Sequence, residues 1–137
     1  MRTYRESGYL PERGTGGEDV RYMLLIYLDE QALSETEREQ CYRDSTQLAH
    51  QLAAAGKYLA AAPLEPTATA TSVRVRGGKR VVTDGPFAET KEQLGGYFLI
   101  DASDLDEAIA VAARIPMAAR GTIEVRPVIH IADLPAD

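Results

Sequence analysis

The sequence predicts an α+β domain on a split βαβ plan. Two amphipathic helical stretches are each flanked by short apolar runs of strand length. A Gly-Gly turn between two alternating segments marks an extra hairpin in the middle, and one capping motif fixes where the first helix starts. The expected order is strand, helix, strand, hairpin, strand, helix, strand.

Arg21 to Leu28 is a continuous apolar run with two tyrosines, short enough for a buried strand. Ser34-Glu35-Thr36-Glu37 then reads as a capping box, with a hydroxyl first and a carboxylate three residues later. Cys41, Ser45, Leu48, Leu52 and Ala55 recur at helical spacing, and Gly56 offers the left-handed stop, so a helix is expected over Glu35 to Ala55. Lys57 to Ala62 reads as a second strand, closed by Pro63 and Pro66. Thr71, Val73 and Val75 alternate with Ser72, Arg74 and Arg76, the pattern of a half-buried strand. Gly77-Gly78 turns that strand into Arg80-Val81-Val82-Thr83.

Gly96 to Asp101 is another strand. Ser103 is the expected cap of a second helix that carries Leu105, Ala108, Ile109, Ala112 and Ile115 on one face and ends at Pro116. Thr122 to Ile131 is the last strand, with Pro127 marking an edge or a bulge. This order is the ferredoxin-like split βαβ with an inserted hairpin. Two helices on one face leave the other face of the sheet uncovered, and burial against a second copy is the expected remedy, giving a homodimer.

At 137 residues the chain fits one domain, expected over 21–137, with 1–20 as a flexible extension. Hydrophobic residues make up 45% and charged residues 26%, an ordinary globular balance. A net charge of -6 with no clustered basic run argues against nucleic acid. No apolar run has membrane-spanning length, and the first twenty residues lack the apolar core of a signal peptide. Cys41 is the sole cysteine, so no intramolecular disulfide can form, and a cytoplasmic location is expected. The two histidines, His50 and His130, are not in ligand spacing, and no metal site is expected. Gly95-Gly96 lacks the spacing and following helix of a phosphate loop, and no cofactor is expected.

Polar chemistry concentrates between Thr83 and Tyr97, in TDGPFAETKEQLGGY. Asp84-Gly85-Pro86 is a strong turn signal, whose carboxylate is free to accept backbone N–H bonds; the sharper reading makes Asp84 a base or polar anchor in a cleft. Glu89, Lys91 and Glu92 read either as a solvated charged turn or as a loop in which Lys91 pairs with Asp84 or Glu89, or receives an anion. Gly95-Gly96 allows a bulge or close backbone approach. Tyr27 and Tyr97 are core tyrosines or hydroxyl donors to a cleft; Arg74 is a surface residue or an anion site. Cys41 reads as a small hydrophobe.

From about Tyr22 to Val128 the chain resembles the YCII-related family, in the branch named for the tetrapeptide Asp84-Gly85-Pro86-Phe87 (DGPF). The resemblance rests on Tyr22 to Tyr27, Thr71 to Arg76, Thr83 to Ile100, Asp104 to Ala108 and Glu124 to Val128. It implies a dimeric α+β barrel of ferredoxin-like subunits. It implies no settled activity; the first reading is a small metabolite held in a cleft near the Asp84 loop, and the resemblance admits an accessory or regulatory role, since such members are often encoded beside extracytoplasmic-function sigma factors. Tyr27, Arg74, Asp84, Glu89, Lys91 and Tyr97 are the candidate ligand-binding residues, with Asp84 as the candidate catalytic one. The alternative is an acid–base enzyme acting on a small cyclic substrate by elimination or hydrolysis. In the wider family a histidine on the first helix is proposed to pair with an aspartate; here Ser45 stands near that position, and serine needs an activating group before it can serve as a base.

Overall fold

The computed structural model describes residues 19–135. The extension expected for 1–20 lies outside the described residues up to residue 18, and β1 takes up the chain at Val20, running Val20–Leu28. There follow α1 (Glu35–Ala54), β2 (Tyr58–Pro63), β3 (Thr71–Arg76), β4 (Lys79–Asp84), β5 (Gln93–Ala102), α2 (Leu105–Ala112) and β6 (Thr122–Pro127), with short 3-10 turns at Glu30–Ala32, Thr67–Thr69 and Pro116–Ala119. β2-β5-β1-β6 form one antiparallel sheet, and β3-β4 form a separate hairpin. This is the ferredoxin-like split βαβ with the inserted hairpin.

The start of α1 follows the sequence rule. Ser34 Oγ accepts from the Glu37 N–H at 3.1 Å, and Glu37 Oε1 accepts from the Ser34 N–H at 2.9 Å. Arg120 adds a 2.7 Å bond to the second Glu37 oxygen. These bonds, first that from Ser34 and then that from Arg120, hold the Glu37 carboxyl below its usual range. A carboxyl depressed on folding stabilises above its unfolded pKa, and the contribution fades as pH falls through the folded value. Glu37→Gln should therefore lower stability at neutral pH, and the deficit should shrink below roughly pH 4.3. Urea unfolding of both proteins across pH 3 to 7 checks this; a pH-independent difference would refute it.

The core lies between the helices and one face of the sheet. Tyr22, Leu24, Phe98, Ile100 and Ala102 point to it from the strands, Leu48 and Leu52 from α1, and Ala108, Val111, Ala112 and Ile115 from α2 and the turn after it. Strand alternation sends Met23, Leu25, Tyr27, Tyr97 and Leu99 to the opposite face, where each is half-buried. Gly95 is skipped in the β1–β5 register, in which Ile26 faces Gly96 and Tyr27 faces Leu94. The Gly-Gly pair thus does what the sequence suggested: Gly95 forms a bulge, and Gly96 lies where a Cβ would come within 2.9 Å of the Ala62 carbonyl oxygen.

Four sequence expectations are corrected. Asp104, not Ser103, caps α2: its side chain accepts from the Glu107 N–H at 2.9 Å while Glu107 bonds the Ser103 N–H at 2.6 Å. The box has shifted by one residue because an aspartate fits the 104–107 spacing as well as a serine does. On α2, Val111 takes the buried place and Ile109 is exposed, because the helix stops at Ala112 and Ile115 reaches the core from the following turn. β6 stops at Pro127, which cannot donate to a ladder, and it is an edge strand. The hairpin is not half-buried: Val73 is 60% and Val75 63% exposed. Period-two alternation marks a strand but does not supply the body that would cover it. The turn itself fits, since Gly77 and Gly78 both have positive φ, at 58° and 76°.

Candidate functional site

A row of small side chains on α1 generates the main concavity. Cys41, Ser45, Ala49 and Ala53 are spaced four apart, so they stack along one stripe of the helix. Across from them lie Ala61 and Ala62 of β2 and Gly95 and Gly96 of β5. None of these residues is long enough to fill the gap, and a cleft of about 890 Å³ remains between α1 and the sheet. Ile26, Leu28, Phe98, Ile115 and Met117 contribute apolar wall; Tyr42, Thr46, His50 and Tyr58 contribute polar atoms. Cys41 packs here as the small hydrophobe expected of it, with Sγ 3.7 Å from Met117 Sδ. Burial raises its thiol pKa, which disfavours the reactive thiolate.

A second cleft of about 550 Å³ adjoins the first and shares Glu30, Leu33, Arg38 and Pro66 with it. The shared mouth is stitched by side-chain bonds. The Glu30 carboxylate accepts from the Thr67 N–H at 2.8 Å and from Thr67 Oγ1 at 2.7 Å, and the Glu30 N–H donates to Gln93 Oε1 at 3.1 Å. The Asp84–Phe87 loop reaches this second cleft through Gly85, Pro86 and Glu89. Gly85, with φ of 99°, donates its N–H to the Ala70 carbonyl at 2.7 Å, and its own carbonyl accepts from Ser72 Oγ at 2.8 Å. The turn is therefore anchored at the root of the hairpin.

The six candidate residues are not brought together. Glu89 lines the smaller cleft. Tyr97 is in the lining of the larger one, on the floor strand β5, where strand alternation sets its ring on the face opposite Phe98. Asp84 and Lys91 are exposed, stand outside the linings of both clefts, and have no side-chain partner among the described residues. Arg74 is exposed on the hairpin opposite Val81. Tyr27 sits on the open face of the sheet, where burial and then the Glu124 carboxylate raise its phenol pKa. Phe87, the last residue of the tetrapeptide, is 81% exposed.

Sequence reasoning missed the walls of the larger cleft and Arg38 at its mouth. The small-residue row from Cys41 to Ala53 is visible in the sequence, and it was the available signal. A proton-transfer pair needs a base oriented by a second group. His50 lines the cleft but is exposed and has no side-chain partner among the described residues, and no hydrogen bond joins it to Ser45.

Among the described residues no helix is long and apolar enough to cross a membrane. A family model described as the YCII-related domain matches residues 20–132. An uncharacterized protein of Rhizobium meliloti (strain 1021) is 43% identical over 111 residues, spanning 77% of this chain and 90% of that protein. The family match covers both clefts, the Asp84 loop and the whole sheet, and the chain belongs to the YCII-related domain family.

Proposed function

We propose that this is a cytoplasmic, homodimeric small-molecule binding protein that holds a mostly apolar metabolite in the cleft beneath α1, in an accessory or regulatory role. The observation that carries the reading is that cleft: about 890 Å³, with apolar walls and a few polar groups, the usual character of a ligand site. The Asp84 loop rims the adjoining cleft and so lies near the bound molecule without enclosing it. Dimerisation draws support from the half-buried apolar row on the uncovered face of the sheet.

Titration with the neutral fluorophore N-phenyl-1-naphthylamine tests the cleft. Wild-type protein should bind it with micromolar affinity, and Ala49→Phe, which plants a ring in the small-residue row, should weaken binding at least about tenfold. Ala49 is only half-buried, so the variant should keep its circular dichroism spectrum. Equal binding by the two folded proteins, or no binding by either, would overturn the reading.

A further inference from the structure

Arg38 lines the mouth shared by the two clefts. It sits near the start of α1, the positive end of the helix dipole, where a cation is disfavoured. Its side chain is half-buried at the mouth shared by the two clefts, yet no hydrogen bond or ion pair engages it among the described residues. Carboxylates are near in sequence and space, but they are committed or turned elsewhere. Glu37 takes Arg120, Glu30 takes Thr67, and Glu89 of the smaller cleft lies beyond ion-pair distance. A half-buried, unpaired arginine beside an apolar cleft is a ready receptor for an anion, because guanidinium binds a carboxylate through two parallel N–H bonds.

We infer that the ligand of the larger cleft is a small monocarboxylate with an apolar or aromatic body, its carboxylate held by Arg38 at the mouth and its body along the row Ser45 to Ala53. This rests on the binding reading of that cleft and adds the chemical class. Glu30 contributes by exclusion: its carboxylate is held by Thr67 rather than by Arg38, and the negative charge it keeps at the shared mouth disfavours ligands with a second anionic group on that side.

The test compares 4-phenylbutyrate with its uncharged amide, by ligand-detected NMR titration on wild-type protein and on Arg38→Gln. Wild type should prefer the carboxylate by about tenfold or more, the difference expected of a charge-assisted bond. In Arg38→Gln the preference should fall below about twofold while the affinity for the amide stays as in wild type. Equal affinity of wild type for both compounds, or a preference that survives in Arg38→Gln, overturns the role of Arg38 and leaves the cleft standing. Failure of both compounds to bind wild type overturns the cleft reading and this inference with it.

Discussion

Gly121→Ala should destabilise the domain by roughly 3 kcal/mol and lower Tm by about 10 °C, a large effect for one added methyl group. Gly121 lies just before β6, with its N–H bonded to the Met117 carbonyl at 2.7 Å. A Cβ there would overlap the Tyr27 carbonyl oxygen and come within 3.2 Å of the Leu28 Cα. Both are backbone atoms at the end of the central strand β1, so neither can rotate out of the way. Relief requires β6 to move from β1, along a ladder that runs from Tyr22↔Pro127 to Tyr27↔Thr122. The two neighbouring cases set the scale. A Cβ at Gly96 meets the Ala62 carbonyl oxygen at 2.9 Å, also backbone but less crowded, and should cost about 1–3 kcal/mol. At Gly95 the obstacle is the Leu28 side chain, which can turn away, so the cost should be about 1 kcal/mol or less. Urea unfolding of the three alanine variants should rank them 121, 96, 95 in descending cost. A Gly121→Ala protein as stable as Gly95→Ala would refute the argument.

The contrast among these glycines shows how far the sequence could be read. Gly95-Gly96 stands inside an apolar strand, where glycine has no reason to be unless a bulge or close approach needs it, so its role was legible. Gly121 follows Arg120 at the end of a turn, where glycine is commonplace, and only the fold brings Tyr27 against it. The capping box at Ser34–Glu37 was legible because all its chemistry lies within four residues. The larger cleft was not, since it arises from a row on α1 meeting small residues of β2 and β5, three segments joined only in the folded chain. The stretch from Thr83 to Tyr97 drew attention by its density of charge, yet the structure uses much of it to turn the chain from the hairpin root into β5. Arg38, the arginine proposed to meet a ligand, lies in α1 among ordinary helix-surface charges.

Leu99→Lys should convert the proposed homodimer to a monomer, raising the dimer Kd at least about a hundredfold. Leu99 pairs with Met23 on one side and Ala60 on the other, in the middle of the sheet face that neither described helix covers. It is half-buried and is not part of the buried core cluster, so a lysine there keeps its ammonium in water in the monomer, and the fold should survive. Closing a second copy over that face would strip water from the ammonium without supplying a buried carboxylate. The carboxylates of the face, Asp101 near Arg21 and Glu124 near Arg126, lie at its margins and already have cationic partners. A two-fold axis doubles the penalty, because each interface then carries two such lysines. Sedimentation equilibrium at micromolar concentration should show a wild-type dimer, a Leu99→Lys monomer, and a dimer unchanged in Gln47→Lys, which places the same charge on the exposed surface of α1. The wild-type Tm should rise with concentration and that of Leu99→Lys should not, since association stabilises only a chain that associates. A monomeric wild type, or a Leu99→Lys dimer as tight as wild type, would remove the sheet face from the interface.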